Sequence, residues 1–213
     1  MVVRSRVSLL LVLLALASGV PSALAASPSA GGPVSLLTEA NITITGASAG
    51  DYAGIRVAAA GDVNGDGRDD VIIGAYDANA TAGAAYVVYG STTPSTVDLA
   101  ALGSAGFTIT GATAGDLAGY GVAAAGDVNG DGRDDVIIGA YGANSHAGAA
   151  YVIYGSATPS SVNLGTLGSA GFTINGAAGD FAGTSVAAAG DVNGDGHSDV
   201  VIGAGYANGH TGT

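Results

Sequence analysis

Cysteine, tryptophan and lysine are absent from this sequence, and glutamate occurs once, at Glu39. Without cysteine the chain has no disulfide framework and no thiolate metal site. All five basic residues are arginine, and two of them, Arg4 and Arg6, stand at the extreme N-terminus. Against 17 acidic residues they leave a formal net charge of −12. Such a surface repels nucleic acid and anionic lipid, because binding phosphates needs Lys and Arg; no nucleic-acid partner is expected. Beyond the N-terminal run there is no long apolar stretch, and no segment sustains a 3.6-residue period, so a helical fold is not expected.

The first 25 residues read as a leader. Arg4 and Arg6 precede the apolar run VSLLLVLLALA (7–17), and Ala23-Leu24-Ala25 supplies a small-residue cleavage site. This is the pattern of a secretory signal peptide. The run is shorter than the roughly 20 apolar residues that a membrane span requires. A secreted or cell-surface protein is therefore expected, with no membrane insertion after cleavage. A Pro/Ser/Gly-rich linker occupies 26–40, and the remainder has the length of one ordinary domain. An exported chain without disulfides must gain stability elsewhere, and bound metal is one candidate.

The acids are not spread evenly. Eleven of the 17 fall in three short segments: Asp62, Asp66, Asp69 and Asp70; Asp127, Asp131, Asp134 and Asp135; Asp191, Asp195 and Asp199. Solubility alone does not require this clustering. The segment GDVNGDGRDDVIIGAY (61–76) returns letter for letter at 126–141, and a near copy, GDVNGDGHSDVVIGAG, lies at 190–205. Gly46, Gly111 and Gly176 are 65 residues apart, which divides residues 41–213 into units of about 46–110, 111–175 and 176–213. A repeat of this regularity dictates the architecture.

Each unit holds four strand-like runs. In the first they are IRVAAAG (55–61), DVIIGAY (70–76), AAYVVYG (84–90) and GFTITG (106–111), each bounded by turn formers. VDLAALG (97–103) reads as one helical turn. Four antiparallel strands per unit, repeated radially, describe all-β propeller blades. About two and a half to three blades are present. Closed propellers have about 4–8, so the ring is incomplete and further blades are expected from sequence beyond this chain.

The acidic segment has oxygen ligands at positions 1, 3, 5 and 9 of a loop, a backbone carbonyl at 7 and Gly at 6, a set suited to a hard cation. In the first unit these are Asp62, Asn64, Asp66, the carbonyl of Arg68, and Asp70, turning at Gly67. The second gives Asp127, Asn129, Asp131, the carbonyl of Arg133, and Asp135. The third gives Asp191, Asn193, Asp195, the carbonyl of His197, and Asp199. Ca²⁺ fits such all-protein cages better than Mg²⁺, which dehydrates reluctantly. An EF-hand also requires a bidentate Glu at position 12 and flanking helices. Position 12 here is Ile73, Ile138 or Ile202, and the loop runs straight into a β-branched strand. These are not EF-hands.

A nine-residue acidic loop inside a β-hairpin resembles the FG-GAP repeat of integrin α-subunit propellers and related bacterial secreted proteins. Three elements match in order across residues 41–213. AGIRVA, AGYGVA or AGTSVA stands in place of the Phe-Gly segment; GDVNGDG and a hydrophobic strand follow; then GAY, GAY or GAG replaces Gly-Ala-Pro. The departures are Ala-Gly for Phe-Gly at 53–54, 118–119 and 182–183, and a missing Pro in each copy.

The resemblance implies about three Ca²⁺ sites, one per blade, in loops joining strands 1 and 2 on one face of the disc. It implies ligand contact on the other face, through the 2–3 and 4–1 loops. The contact residues implied there are Tyr76, Asp77, Asn79, Tyr141, Asn144, His146, Tyr206, Asn208 and His210, with Asp51, Asp116 and Asp180 beside them. For any one of them the role of turn former, repeated with the blade, is the stronger reading. His146 and His210 occupy equivalent positions but have no third ligand, and His197 offers its carbonyl and not its ring. Asn41-Ile42-Thr43 and Asn79-Ala80-Thr81 are glycosylation sequons, relevant where the host modifies them.

The function expected is a secreted, calcium-binding, non-catalytic propeller module for cell adhesion or other extracellular binding, with an unidentified protein or glycan as ligand. The sequence shows no nucleophile elbow, paired glutamates or HExxH. Two alternatives stay open: an accessory propeller of a larger secreted hydrolase, of phospholipase D or polysaccharide-degrading type, and a purely structural surface repeat.

Overall fold

The structure is a computed structural model, and residues 8–11, 42–93 and 95–207 are described. The 26–40 linker, Asn208 and His210 lie outside the described residues, as does all of the expected leader except Ser8–Leu11. Fourteen strands are present among them. The first complete blade is β3 (Arg56–Gly61), β4 (Asp70–Ala75), β5 (Ala84–Val88) and β7 (Gly106–Thr110). The second is β8 (Gly121–Gly126), β9 (Asp135–Ala140), β10 (Ala149–Ile153) and β12 (Gly171–Asn175). The third shows its two inner strands, β13 (Ala182–Gly190) and β14 (Asp199–Ala204). Every pair within a blade is antiparallel.

The four runs read from the first unit fall on β3, β4, β5 and β7, but the blade does not end with them. The stretch expected to form one helical turn divides in two. Ser95–Asp98 is a strand, β6, and two 3₁₀ turns follow at Leu99–Ala101 and Gly103–Ala105. β6 reaches back and pairs in parallel with β2 (Ile42–Thr45) of the preceding unit. The equivalent β11 (Val162–Asn163) pairs in parallel with β7, making the first blade five-stranded. Asp98 and Asn163 then cap the 3₁₀ turns by accepting from Ala100 N (3.0 Å) and Gly165 N (2.8 Å). Leu99 and Leu164 are thereby driven into the core. Ser8–Leu11 forms β1 and lies antiparallel to β2, in the place a third blade strand would take.

Alternation along the central strands explains the stacking. Successive residues point to opposite faces of a sheet, and β4 and β9 are apolar on both. Ile73, with Tyr86 and Val88, packs toward Ile44 of β2, whereas Ile72 and Val87 pack toward Val136, Ile138 and Tyr151 of the second blade. Ile137 and Val152 in turn face Val186, Val200 and Ile202 of the third. The glycine of the GA pair is what allows close approach. A Cβ on Gly74 would collide with the carbonyl of Gly119, and one on Gly139 with that of Gly183. The turn glycines of the first two blades are also pinned within their own blades: Gly54 N donates to Gly74 O and Gly119 N to Gly139 O, both at 3.0 Å.

The outer faces of the stack remain open among the described residues. Val201 occupies the third-blade position of Ile137, yet it is 54% exposed where Ile137 is fully buried. This pair makes the packing claim testable. Ile137→Ala is expected to lower the stability of the full chain by about 2–5 kcal/mol, as buried Ile truncations do. Val201→Ala should stay within about 0.5 kcal/mol. Urea denaturation of both variants checks it; similar losses would contradict the blade-on-blade core.

Candidate functional site: acidic loops and the opposite face

The three acidic segments are hairpin loops between strands 1 and 2 of their blades, and all fold the same way. Each begins at a bulge where register shifts, at Gly61, Gly126 or Gly190. These glycines have φ near +70°, open to Gly without strain. The following aspartate then organises the turn. Asp62 accepts from Gly65 N (2.8 Å) and Asp66 N (2.9 Å) on one oxygen and from Gly67 N (2.8 Å) on the other. Asp127 repeats this with Gly130, Asp131 and Gly132, and Asp191 with Gly194, Asp195 and Gly196. Position 3 accepts from the position 5 amide, through Asn64, Asn129 and Asn193 at 2.8–2.9 Å. Position 5 accepts from the position 7 amide, on Asp66, Asp131 and Asp195.

Position 9 closes the loop from below. Asp70 is 1% exposed; its two oxygens accept from Val63 N (3.1 Å) and from Gly90 N (2.9 Å) beyond strand 3. Asp135 does the same with Val128 N and Gly155 N. Burial pushes both carboxyls up to about 6; the two amide bonds oppose this, and the negative charges of positions 5 and 1 add to it. The third loop is exposed, and there Asp199 accepts from Val192 N and from the Asn193 side chain. Asp195 is held below the usual carboxylate range, first by the His197 amide.

All the side-chain oxygens at positions 1, 3, 5 and 9 line or underlie one loop, and none is replaced by nitrogen or sulfur. That donor set fits a hard divalent cation. As placed, the carboxylates turn to loop amides, and among the described residues no three His, Cys, Asp or Glu side chains converge as a metal-holding group. Arg68 and Arg133, at position 7, lie 3.3 and 3.7 Å from Asp66 and Asp131 at position 5 of the same loops.

Position 8, which the sequence pattern left without a role, joins neighbouring blades. Asp134 accepts from Asp62 N (2.8 Å), and Asp134 N donates to Asp62 O (3.2 Å). Ser198 N donates to Asp127 O (3.0 Å) in the same way. The loops are thus stitched in series along one rim.

The 2–3 and 4–1 loops meet on the other face. Asp116 and Asp180 accept from Thr113 N and Ala177 N three residues before them, which is the geometry of turn formers. Burial pushes the carboxyls of Asp116 and Asp51 upward. Tyr76, Tyr141 and Tyr206 belong to a continuous run of ring contacts. It passes from Tyr52 to Tyr76 (5.6 Å), Tyr120 (5.5 Å), Tyr141 (4.5 Å), Phe181 (6.3 Å) and Tyr206 (4.8 Å). His146 meets Phe181 in a tilted contact at 5.1 Å, and Arg56 sits over Tyr120 at 5.2 Å. Tyr52, Tyr120 and Phe181 were not singled out from sequence, although aromatics recur in AGDYAG, AGYG and AGDFAG. Two three-residue segments here, Asn79–Thr81 and Asn144–His146, are left-handed throughout, with φ of 53–68°. Such strain in non-glycine residues concentrates at functional sites. Asn144 is further fixed by donating to Asn175 Oδ1 (2.9 Å). Asp77 and Asn79 lie at the same edge.

Comparison with known proteins gives the same repeat. The FG-GAP repeat family model matches residues 53–88, 118–153 and 182–213, one match per blade. Integrin alpha pat-2 of Caenorhabditis elegans is 33% identical over 186 residues, covering 73% of this chain. Integrin alpha pat-2 of Caenorhabditis briggsae is 33% identical over 189 residues, again covering 73%. In both cases the match spans 13% of the relative's length.

The inter-loop bond gives a direct test of the rim. Asp134→Ala is expected to destabilise the chain by about 1 kcal/mol, the usual value of a partly exposed hydrogen bond. Asp69→Ala removes the same residue type from the first loop, where its side chain has no such partner among the described residues, and should change stability by less than about 0.5 kcal/mol. Chemical denaturation distinguishes them; equal effects would mean that the loops are not joined through position 8.

Proposed function

We propose that this chain, which belongs to the FG-GAP repeat family, is a secreted, calcium-braced propeller segment that serves extracellular adhesion. The observation that carries the reading is the acidic loop itself, built three times with the same residues accepting the same amides. Ca²⁺ would be held by Asp62, Asn64, Asp66, the Arg68 carbonyl and Asp70 in the first blade. In the second the holders are Asp127, Asn129, Asp131, the Arg133 carbonyl and Asp135. In the third they are Asp191, Asn193, Asp195, the His197 carbonyl and Asp199. When bound, the ion supplies the positive charge that lets these carboxylates stay ionised side by side.

The chain's own residues do the rest. The amides of positions 4 to 6 orient the first aspartate, and the buried position 9 ties the loop to the turn after strand 3. The rim then becomes rigid, and the opposite loops are held in register from blade to blade. The aromatic run and the strained turns of that opposite face support it as the surface that meets an extracellular protein or glycan. The role is binding and not catalysis, since the repeats this chain shares with integrin α subunits are adhesion modules. Export rests on the leader pattern of residues 1–25.

Calorimetric titration of the full chain with CaCl₂ tests the metal sites. Dissociation constants on the order of 10⁻⁴–10⁻³ M are expected, the range of extracellular calcium modules. Asp66→Ala with Asp131→Ala should remove the binding of two of the three loops. Absence of calcium heat in the parent, or equal heat in the double variant, would overturn the assignment.

A further inference from the structure

The rim that carries the acidic loops also carries the same cleft twice. The first, about 430 Å³, is bounded by Asn64 and Asp66 of the loop, Tyr89 after β5, Ser95 on β6 and Ser104 of the 3₁₀ turn. The second, about 360 Å³, is bounded by Asn129, Asp131, Tyr154, Ser160 and Ser169, each 65 residues further along. Both volumes fall within the small-ligand range of about 300–1,000 Å³. Pro159 borders both clefts, so they lie on either side of one loop and form a row with the period of the blade.

The hydroxyls in these clefts divide into two groups. Ser91 and Ser156 are used to fold their own loops, accepting from Thr93 N and Thr158 N at 3.2 Å. The hydroxyls of Tyr89, Ser95 and Ser104, and of Tyr154, Ser160 and Ser169, make no hydrogen bond among the described residues. Each can donate one and accept two. Neither cleft is lined by Lys, Arg or His. The four aspartates of each adjoining loop outnumber the charge of its one arginine and one divalent ion together, so a phosphate or sulfate would meet net negative charge. The walls are too polar for a lipid chain. What the lining matches is a ligand that is itself uncharged, rich in hydroxyls and repetitive.

We propose that the two clefts are consecutive subsites for a neutral polysaccharide, one per blade, along the acidic-loop rim. The proposal names a ligand class for the adhesive role argued above and rests on that reading, but it uses a different face and residues outside the aromatic run. A sugar ring would lie beside the tyrosine, with its hydroxyls bonded to the tyrosine and serine hydroxyls that have no partner among the described residues.

The test uses the full chain against cellohexaose, maltohexaose, xylohexaose and chitohexaose, with an oligogalacturonate as the acidic control, by calorimetry at saturating calcium. At least one neutral hexaose is expected to bind. Tyr89→Phe with Ser104→Ala, combined with Tyr154→Phe and Ser169→Ala, should weaken it about tenfold or more. These substitutions keep the rings and change only groups without internal partners, and an unchanged urea midpoint confirms folding. Three results overturn the proposal: no neutral hexaose bound, the acidic control preferred, or the fourfold variant binding as the parent does. The last would move the sugar to another face and leave the adhesive role standing. Loss of the calcium heat itself would instead count against the metal loops.

Discussion

Each blade of this protein is apolar on both faces, and everything else follows from that constraint. Ile72 and Ile73 are adjacent on β4 yet lie in different core clusters, because a strand sends successive side chains to opposite sides. A sheet built this way cannot stand alone in water. Its neighbours must lie close, and the glycines at 74 and 139 let the next blade's turn rest directly on the strand. Stability is therefore a property of interfaces between repeats, as in other repeat architectures. The exposed Val57, Val192 and Val201 mark where the described stack stops.

The two faces of the stack use this arrangement differently. On one rim, acid side chains are consumed in making the hairpin loops, and position 8 ties each loop to the one before it. On the other, few side chains are consumed, and rings contact rings across three blades without any being fully buried. The left-handed turns at Asn79–Thr81 and Asn144–His146 hold this second face against local preference, which only a firm scaffold beneath can maintain.

Much of this was legible in the sequence, because the signals were local. Val, Ile and Tyr runs bounded by Gly and Asp gave β3, β4, β5 and β7 to within two residues, and Ile at position 12 distinguished a hairpin from an EF-hand. The misses all depend on contacts across units. VDLAALG carries too few residues to reveal its period, and Val97 becomes part of a strand only because the outer edge of β2 is there to pair with it. Asp134 looked like one more acid in a cluster; its role exists only when Asp62, 72 residues away, lies beside it. The ring sequence from Tyr52 to Tyr206 has no linear signature for the same reason. Ala80 and Thr81, which disfavour a left-handed turn, gave no warning of one.

The central claim is that the acidic loops are cation sites on which the stability of the stacked blades depends. The most direct measurement is chemical denaturation of the full chain with and without about 10 mM CaCl₂. Binding to the folded state alone, with the affinities expected for such loops, should add about 1.4–2.7 kcal/mol per site. A denaturation curve that does not move with calcium would contradict it.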